Sequence, residues 1–117
     1  QSYWDAAREA MKKYPDADGV FAADQPALYY MHLAMEQGKR IPEDLKVVTY
    51  DGMDVTRICF PEVTVVCQNV KYLSENCART VIKLIENKEP VPHRQIASVE
   101  IRQGQSTYPV EINGELR

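Results

Sequence analysis

Three short apolar runs, each halted by a polar side chain, set the limits on what this chain can fold into. Gly19-Val20-Phe21-Ala22-Ala23 ends at Asp24, Val47-Val48-Thr49-Tyr50 at Asp51, and Val63-Thr64-Val65-Val66-Cys67 at Gln68. None of them alternates apolar with polar residues, which predicts strands covered on both faces, as inside a parallel sheet. Segments of helical period separate them. Trp4, Ala7, Met11 and Tyr14 form one apolar stripe behind a Ser2-x-x-Asp5 capping box, and Pro15 stops it. A second helix follows Asp24, which the pattern places at the N-cap, with Pro26 in the first turn and Gly38 just past Gln37. A third covers 72–85, marked by Leu73, Cys77, Val81, Leu84 and Ile85, and ends near Asn87. Over 97–102, Ala97, Val99 and Ile101 alternate with Ser98, Glu100 and Arg102, the pattern of an edge strand with one wet face. This order is α/β, and right-handed crossovers make the first strands parallel neighbours. Asp24, Asp51 and Gln68 then share the carboxyl rim of the sheet, where open α/β folds bind ligands.

Some apolar side chains have no place in that core. On the second helix Ala27, Leu28, Met31, Ala34 and Met35 make one stripe, but Tyr29, Tyr30 and Leu33 lie on other faces. The loop 52–61 carries Val55, Ile58, Cys59 and Phe60 with neither helical nor strand period. Both features predict contact with a partner. The stripe of the 72–85 helix is expected to pack on a neighbouring chain or back on its own domain.

With 117 residues, 44% hydrophobic and 26% charged, the chain has the composition of one ordinary globular domain with a modest core, and no membrane contact is expected. A net charge of -3 and no Lys/Arg stripe exclude strong nucleic-acid binding by this segment. Cys59, Cys67 and Cys77 are odd in number and lack a C-x-x-C pair, which argues against a disulfide framework or a zinc site and for a reducing cytoplasm. No signal-peptide pattern opens the chain, and its start at Gln1 reads as lying inside a larger protein. The tail, 108–117, holds an Asn113-Gly114 turn signal.

The rim residues admit several chemistries. Asp24 is explained by helix capping alone, whereas Asp51 has no regular helix pattern behind it. The Gln68 amide both donates and accepts, which suits polyhydroxyl or purine-like ligands. Two rim carboxylates also suit acid/base catalysis or a divalent metal. Against both stand the missing nucleophile elbow, phosphate loop, H-E-x-x-H motif and dense Asp cluster, so no cofactor or metal is expected. Asp16, Asp18 and Gly19 are turn chemistry, and His32 and His93 have no ligand-spaced partners.

Taken together, Phe21-Ala22-Ala23-Asp24-Gln25-Pro26-Ala27-Leu28, Gln37-Gly38-x-x-Ile41-Pro42-Glu43-Asp44-Leu45, Val47-Val48-Thr49-Tyr50-Asp51, Phe60-Pro61-x-Val63-Thr64-Val65-Val66-x-Gln68 and Arg102-x-x-x-Ser106-Thr107 resemble the effector-binding domain of lactose-repressor-type (LacI/GalR) transcriptional regulators. The match spans nearly the whole chain to Thr107. It implies a periplasmic-binding-protein-like fold of two α/β lobes joined by crossover strands, with a sugar or nucleobase-like effector in the cleft. This chain looks like the C-terminal part: 1–67 and about 98–107 in the C-terminal lobe, about 70–97 a crossover and N-lobe element, and 108–117 a tail. DNA would be reached only through a helix-turn-helix domain absent from this chain. By position the resemblance makes Asp51 the effector-bonding aspartate and puts Ala23 where many members carry a ligand-contacting Asn. Asp24 is the neighbouring candidate, and Gln68 and Val70 line the cleft. The loop 55–60, with Val55, Ile58, Cys59 and Phe60, and the helix around Leu28 and Tyr29 match the homodimer surface. Thr49 and Tyr29 stand where the family usually has glycine, and Val63-Thr64-Val65 stands for Leu-Thr-Thr. The alternative readings are a transport-associated solute-binding protein of the same fold and a small α/β enzyme using Asp24 and Asp51.

Overall fold

The computed structural model describes residues 1–87 and 90–108 and, in the tail, the backbone of 111–112 and 115–116. The elements follow as α1 (Tyr3–Lys13), β1 (Gly19–Ala23), α2 (Asp24–Glu36), β2 (Lys46–Asp51), α3 (Val55–Ile58), β3 (Thr64–Gln68), α4 (Val70–Glu86), β4 (Val99–Arg102), β5 (Glu111–Ile112) and β6 (Glu115–Leu116). β1 to β4 form one sheet in sequence order, with β1 parallel to β2 and β2 parallel to β3. That order puts β4 at an edge, as its alternating sequence implies. β5 and β6 pair antiparallel around 113–114, and the Asn113-Gly114 turn itself lies outside the described residues. The chain divides into two compact units, Gln1–Cys67 with Ile101–Arg117, and Gln68–Glu100.

In the first unit the Ser2 hydroxyl accepts the Asp5 N–H at 3.1 Å and starts α1, which satisfies one of the donors left over at a helix start. α1 packs on α2, and α2 lies on β1 and β2. Ala7, Ala27, Tyr30, Met31, Leu33 and Ala34 close over Leu45, Val47, Val63 and Val65 as the buried core. On β1 and β2 the cover is uneven. Along β2, Val47 and Thr49 are buried while Tyr50 on the other face is exposed, and on β1 Phe21 is 64% exposed. The expectation of strands covered on both faces is therefore corrected for β1 and the carboxyl end of β2, whereas at the start of β3 Thr64 and Val65, on opposite faces, are both buried as expected. β1 is an edge strand, and α2 covers the face to which Val47 and Thr49 point. In the first two runs Phe21 and Tyr50 broke the alternation without being buried.

At the amino ends of β2 and β3 the segment after β4 is stitched into the sheet. The Val47 N–H donates to Ser106 O at 3.0 Å, the Ser106 hydroxyl donates to Val47 O and accepts the Thr64 N–H at 2.9 Å, and Ser106 is fully buried. Gln105 and Ser106 also donate their N–H groups to Glu62 O. Gly104 permits the approach, since a Cβ there would stand 2.6 Å from Val63 O. Residues 104–106 thus clamp the amino ends of β2 and β3.

The loop after β2 differs from the sequence expectation. It contains one helical turn, α3, in which the Thr56 hydroxyl donates to Met53 O at 2.6 Å and Arg102 donates to Thr56 Oγ1. A single turn is too short to leave a periodic trace in sequence.

In the second unit the Asn69 side chain caps α4 by accepting the Tyr72 N–H at 3.0 Å, and Asn87 closes it in the left-handed region at φ 51°. Gln95 bonds to Asn76 and Thr80 on the helix surface. No residue of α4 is buried, and Val81, Leu84 and Ile85 are exposed. Of the two expectations for this stripe, packing back on its own domain is not realised: α4 and one return segment make too small a unit to cover it.

Candidate functional site

The carboxyl ends of β1 and β2 lie side by side, with Ala23 opposite Tyr50 in the parallel register. Ala23 is exposed and Asp24 is 2% exposed. The expectation that Asp24 caps α2 is corrected. Ala23 occupies the cap position and no side chain caps the helix. Instead Asp24 Oδ2 accepts the Gly52 N–H at 3.0 Å and the Met53 N–H at 2.7 Å, reaching across to the loop after β2. Two successive backbone donors converging on one carboxylate oxygen form a small anion-binding concavity filled from within the chain. Its negative charge also sits at the positive end of α2. Among the described residues, Asp24 Oδ1 is buried without a hydrogen-bond partner.

The Asp24 bonds hold an unusual turn. Asp51 has φ 125° and Gly52 has φ 95°, so two consecutive residues lie at positive φ. For an aspartate that conformation costs about 1–3 kcal/mol and persists only where surrounding contacts enforce it. Gly52 has a second constraint, since a Cβ there would stand 3.1 Å from Cys67 Sγ. Asp51 itself is an exposed residue at the carboxyl end of β2. Asp51 and Asp24 therefore differ in kind, one exposed and one buried with an oxygen committed to the backbone. That is a poor basis for a shared-proton acid/base pair. Among the described residues no group of three or more His, Cys, Asp or Glu side chains is placed to hold a metal. Gln68 is the last residue of β3 and Val70 the first of α4, and both belong to the second unit.

Beside the rim, still within the first unit, lies a groove of about 550 Å³ lined by Trp4, Gln25, Leu28, Tyr29, His32, Met53 and Val55. Trp4 meets Tyr29 edge-on at 4.4 Å between ring centroids and His32 at 5.5 Å. His32 Nε2 lies 3.0 Å from Glu36 Oε1 at the margin. Three residues expected at a dimer surface, Leu28, Tyr29 and Val55, line this groove together. Ile58 and Phe60 are 82% and 83% exposed on the following turn. Cys59 behaves differently. It packs against the core, donates its thiol to Thr56 O at 3.3 Å, and has its pKa raised by burial. Sequence reasoning missed Gln25, His32 and Met53 and placed Trp4 only in the packing stripe of α1. The i, i+3 spacing of Tyr29 and His32 gave a signal for one wall, but nothing local marked Met53, which Asp24 draws into place.

Residues 1–107 match the family profile of the periplasmic binding protein-like domain. Among curated relatives, the ribose operon repressor of Halalkalibacterium halodurans is 38% identical over 82 residues, covering 69% of this chain and 25% of that protein. The solved transcriptional regulator CelR-cellobiose complex superposes with a TM-score of 0.82 at 30% identity, covering 90% of this chain and 32% of that one. A dimeric lac repressor with an 11-residue C-terminal deletion shares the fold, with a TM-score of 0.80 at 22% identity over 91% of this chain and 39% of its own. The chain thus spans roughly a quarter to two-fifths of the proteins it matches. It belongs to the periplasmic binding protein-like domain family, as a partial domain of the kind found in LacI-type transcriptional regulators.

Proposed function

We propose that this domain senses a small sugar or related metabolite and passes that state, through self-association, to a DNA-binding helix-turn-helix region elsewhere in the polypeptide. The observation that carries the reading is Asp51: an exposed carboxylate presented in a held, left-handed turn at the carboxyl end of a parallel strand. A carboxylate in that position can accept hydrogen bonds from hydroxyls of an uncharged polyol, with no proton transferred. The relatives support the ligand class, since one is named for the ribose operon and another is complexed with cellobiose.

In this reading Ala23 forfeits the side-chain contact that an Asn would make, and Gln68 and Val70 contribute from the crossover. Residues 1–67 and about 98–107 are C-lobe, and about 70–97 crossover and N-lobe. The groove around Leu28 and Tyr29, with Val55, Ile58, Cys59 and Phe60 on the adjoining turn, is the homodimer surface. The protein works in the cytoplasm as a regulator without catalytic turnover. Closure on the effector shifts an existing equilibrium by the difference in affinity between the open and closed forms.

The test is thermal denaturation of the intact polypeptide with sugars, sugar phosphates and purines, since a ligand that binds only the folded state raises the melting temperature. A sugar is expected to raise it, and Asp51→Asn is expected to weaken that sugar by about tenfold or more. No shift with any of these compounds would overturn the reading. Turnover of a sugar or nucleotide that Asp51→Asn abolishes would replace it with an enzymatic one.

A further inference from the structure

We infer that Asp24 is a positioning residue for effector binding: its carboxylate sets the turn that presents Asp51 and does not itself touch the effector. The inference rests on Asp51 being the effector carboxylate, as proposed above. Three observations carry it. Asp24 is 2% exposed, so its side chain is withdrawn from the rim surface on which Asp51 is exposed. Its Oδ2 takes both the Gly52 and Met53 N–H groups, the two donors that directly follow Asp51. Asp51 and Gly52 both stand at positive φ, a conformation that an aspartate leaves when nothing enforces it.

The same turn is braced from its far side. Thr56 Oγ1 donates to Met53 O at 2.6 Å and receives a bond from Arg102. Asp24 and Thr56 therefore hold Met53 by its N–H and its carbonyl respectively, and Met53 is the residue at which the turn enters the aromatic groove. Loss of the Asp24 bonds frees the amide side of this brace and lets Asp51 relax toward ordinary strand geometry. The carboxylate then swings away from the direction that a bound polyol requires. An oxygen acceptor is what the turn needs, so asparagine serves in place of aspartate, while alanine does not.

The experiment uses the intact polypeptide, D-ribose and cellobiose as probes in titration calorimetry, and the variants Asp24→Asn, Asp24→Ala, Asp51→Asn and the double variant Asp24→Ala with Asp51→Asn. Hydrogen–deuterium exchange of a peptide covering 50–57 follows the turn without any ligand. Asp24→Asn is expected to bind within about threefold of the parent, and Asp24→Ala about tenfold or more weaker. The double variant should be no weaker than Asp51→Asn alone, because Asp24 acts only through Asp51. Exchange of the 50–57 peptide should quicken in Asp24→Ala and stay slow in Asp24→Asn, with other peptides unchanged. Equal loss in both Asp24 variants would overturn the inference, because it would mean that the charge itself meets the sugar. A double-variant loss equal to the product of the single ones, or unchanged exchange in Asp24→Ala, would also overturn it. If Asp51→Asn binds normally, or the parent binds neither sugar, the reading of Asp51 fails and the inference fails with it. The exchange data then show separately whether Asp24 holds the turn.

Discussion

Gly104 and Gly19 show how differently two glycines can matter. A Cβ at Gly104 would stand 2.6 Å from Val63 O, against backbone that the sheet holds fixed, whereas at Gly19 the nearest atom is Lys46 O at 3.9 Å. Gly104→Ala is therefore expected to destabilise by about 1–3 kcal/mol through overpacking, and Gly19→Ala to be nearly neutral; chemical denaturation of both variants measures the difference. The thiols separate in a similar way. Burial raises the Cys59 pKa and its thiol donates to Thr56 O, while Cys77 is exposed on α4. Alkylation follows the thiolate and its accessibility. Iodoacetamide at mildly alkaline pH should label Cys77 first and Cys59 last, with peptide mass spectrometry reading the order. At this scale the sequence was partly legible. The place of Asp51 at the end of a strand followed from the apolar run before it. The bond from Asp24 did not follow, because a carboxylate before Gln25-Pro26 looks like a helix cap and its true partners are 28 and 29 residues away.

The elements were more legible than their burial. The α1 start was legible because Ser2 caps locally, the Asn69 cap of α4 was not singled out, and α1, α2 and α4 lie where their periodicity places them. The strands were located by their apolar runs, but which of their faces is covered depends on tertiary packing that a short run does not record. Phe21 and Tyr50 are exposed, which their apolar runs did not show. α4 depends more on its own caps than a helix with a buried face does, because none of its residues is buried. Asn69→Ala removes the acceptor for the Tyr72 N–H and should cost about 1 kcal/mol of helix stability. Asn87→Gly should recover a few tenths of that order, since glycine adopts φ 51° without the steric cost that a side chain brings. Amide exchange along 70–86 would rise in the first variant and fall in the second. Equal exchange in both would mean that α4 is held by contacts other than its caps.

At the scale of the whole molecule, sequence order alone fixed the α/β architecture and the parallel strand pairs, because short connections and right-handed crossovers leave few alternatives. The surplus of aromatic and apolar residues at Tyr29, Val55 and Phe60 pointed to a partner before any shape was known. The structure adds a concave groove in which Trp4 meets Tyr29 and His32 edge-on and which Leu28, Met53 and Val55 also line. If that groove is the homodimer surface proposed above, a two-fold contact presents each substitution twice, once from each copy. Leu28→Asp then brings two like charges into a desolvated patch already apolar enough to expel water, a situation that costs several kcal/mol. The dimer dissociation constant should rise by about 100-fold or more. Leu28 is only half-buried in the single chain, so the folded protomer should keep most of its stability. Sedimentation equilibrium of the intact polypeptide would show the dimer shifting to monomer, while Asp51-dependent sugar binding persists at the rim. A Leu28→Asp variant that stays dimeric at micromolar concentration would place the self-association surface elsewhere, leaving the exposed turn at Ile58 and Phe60 to be tested by the same substitution.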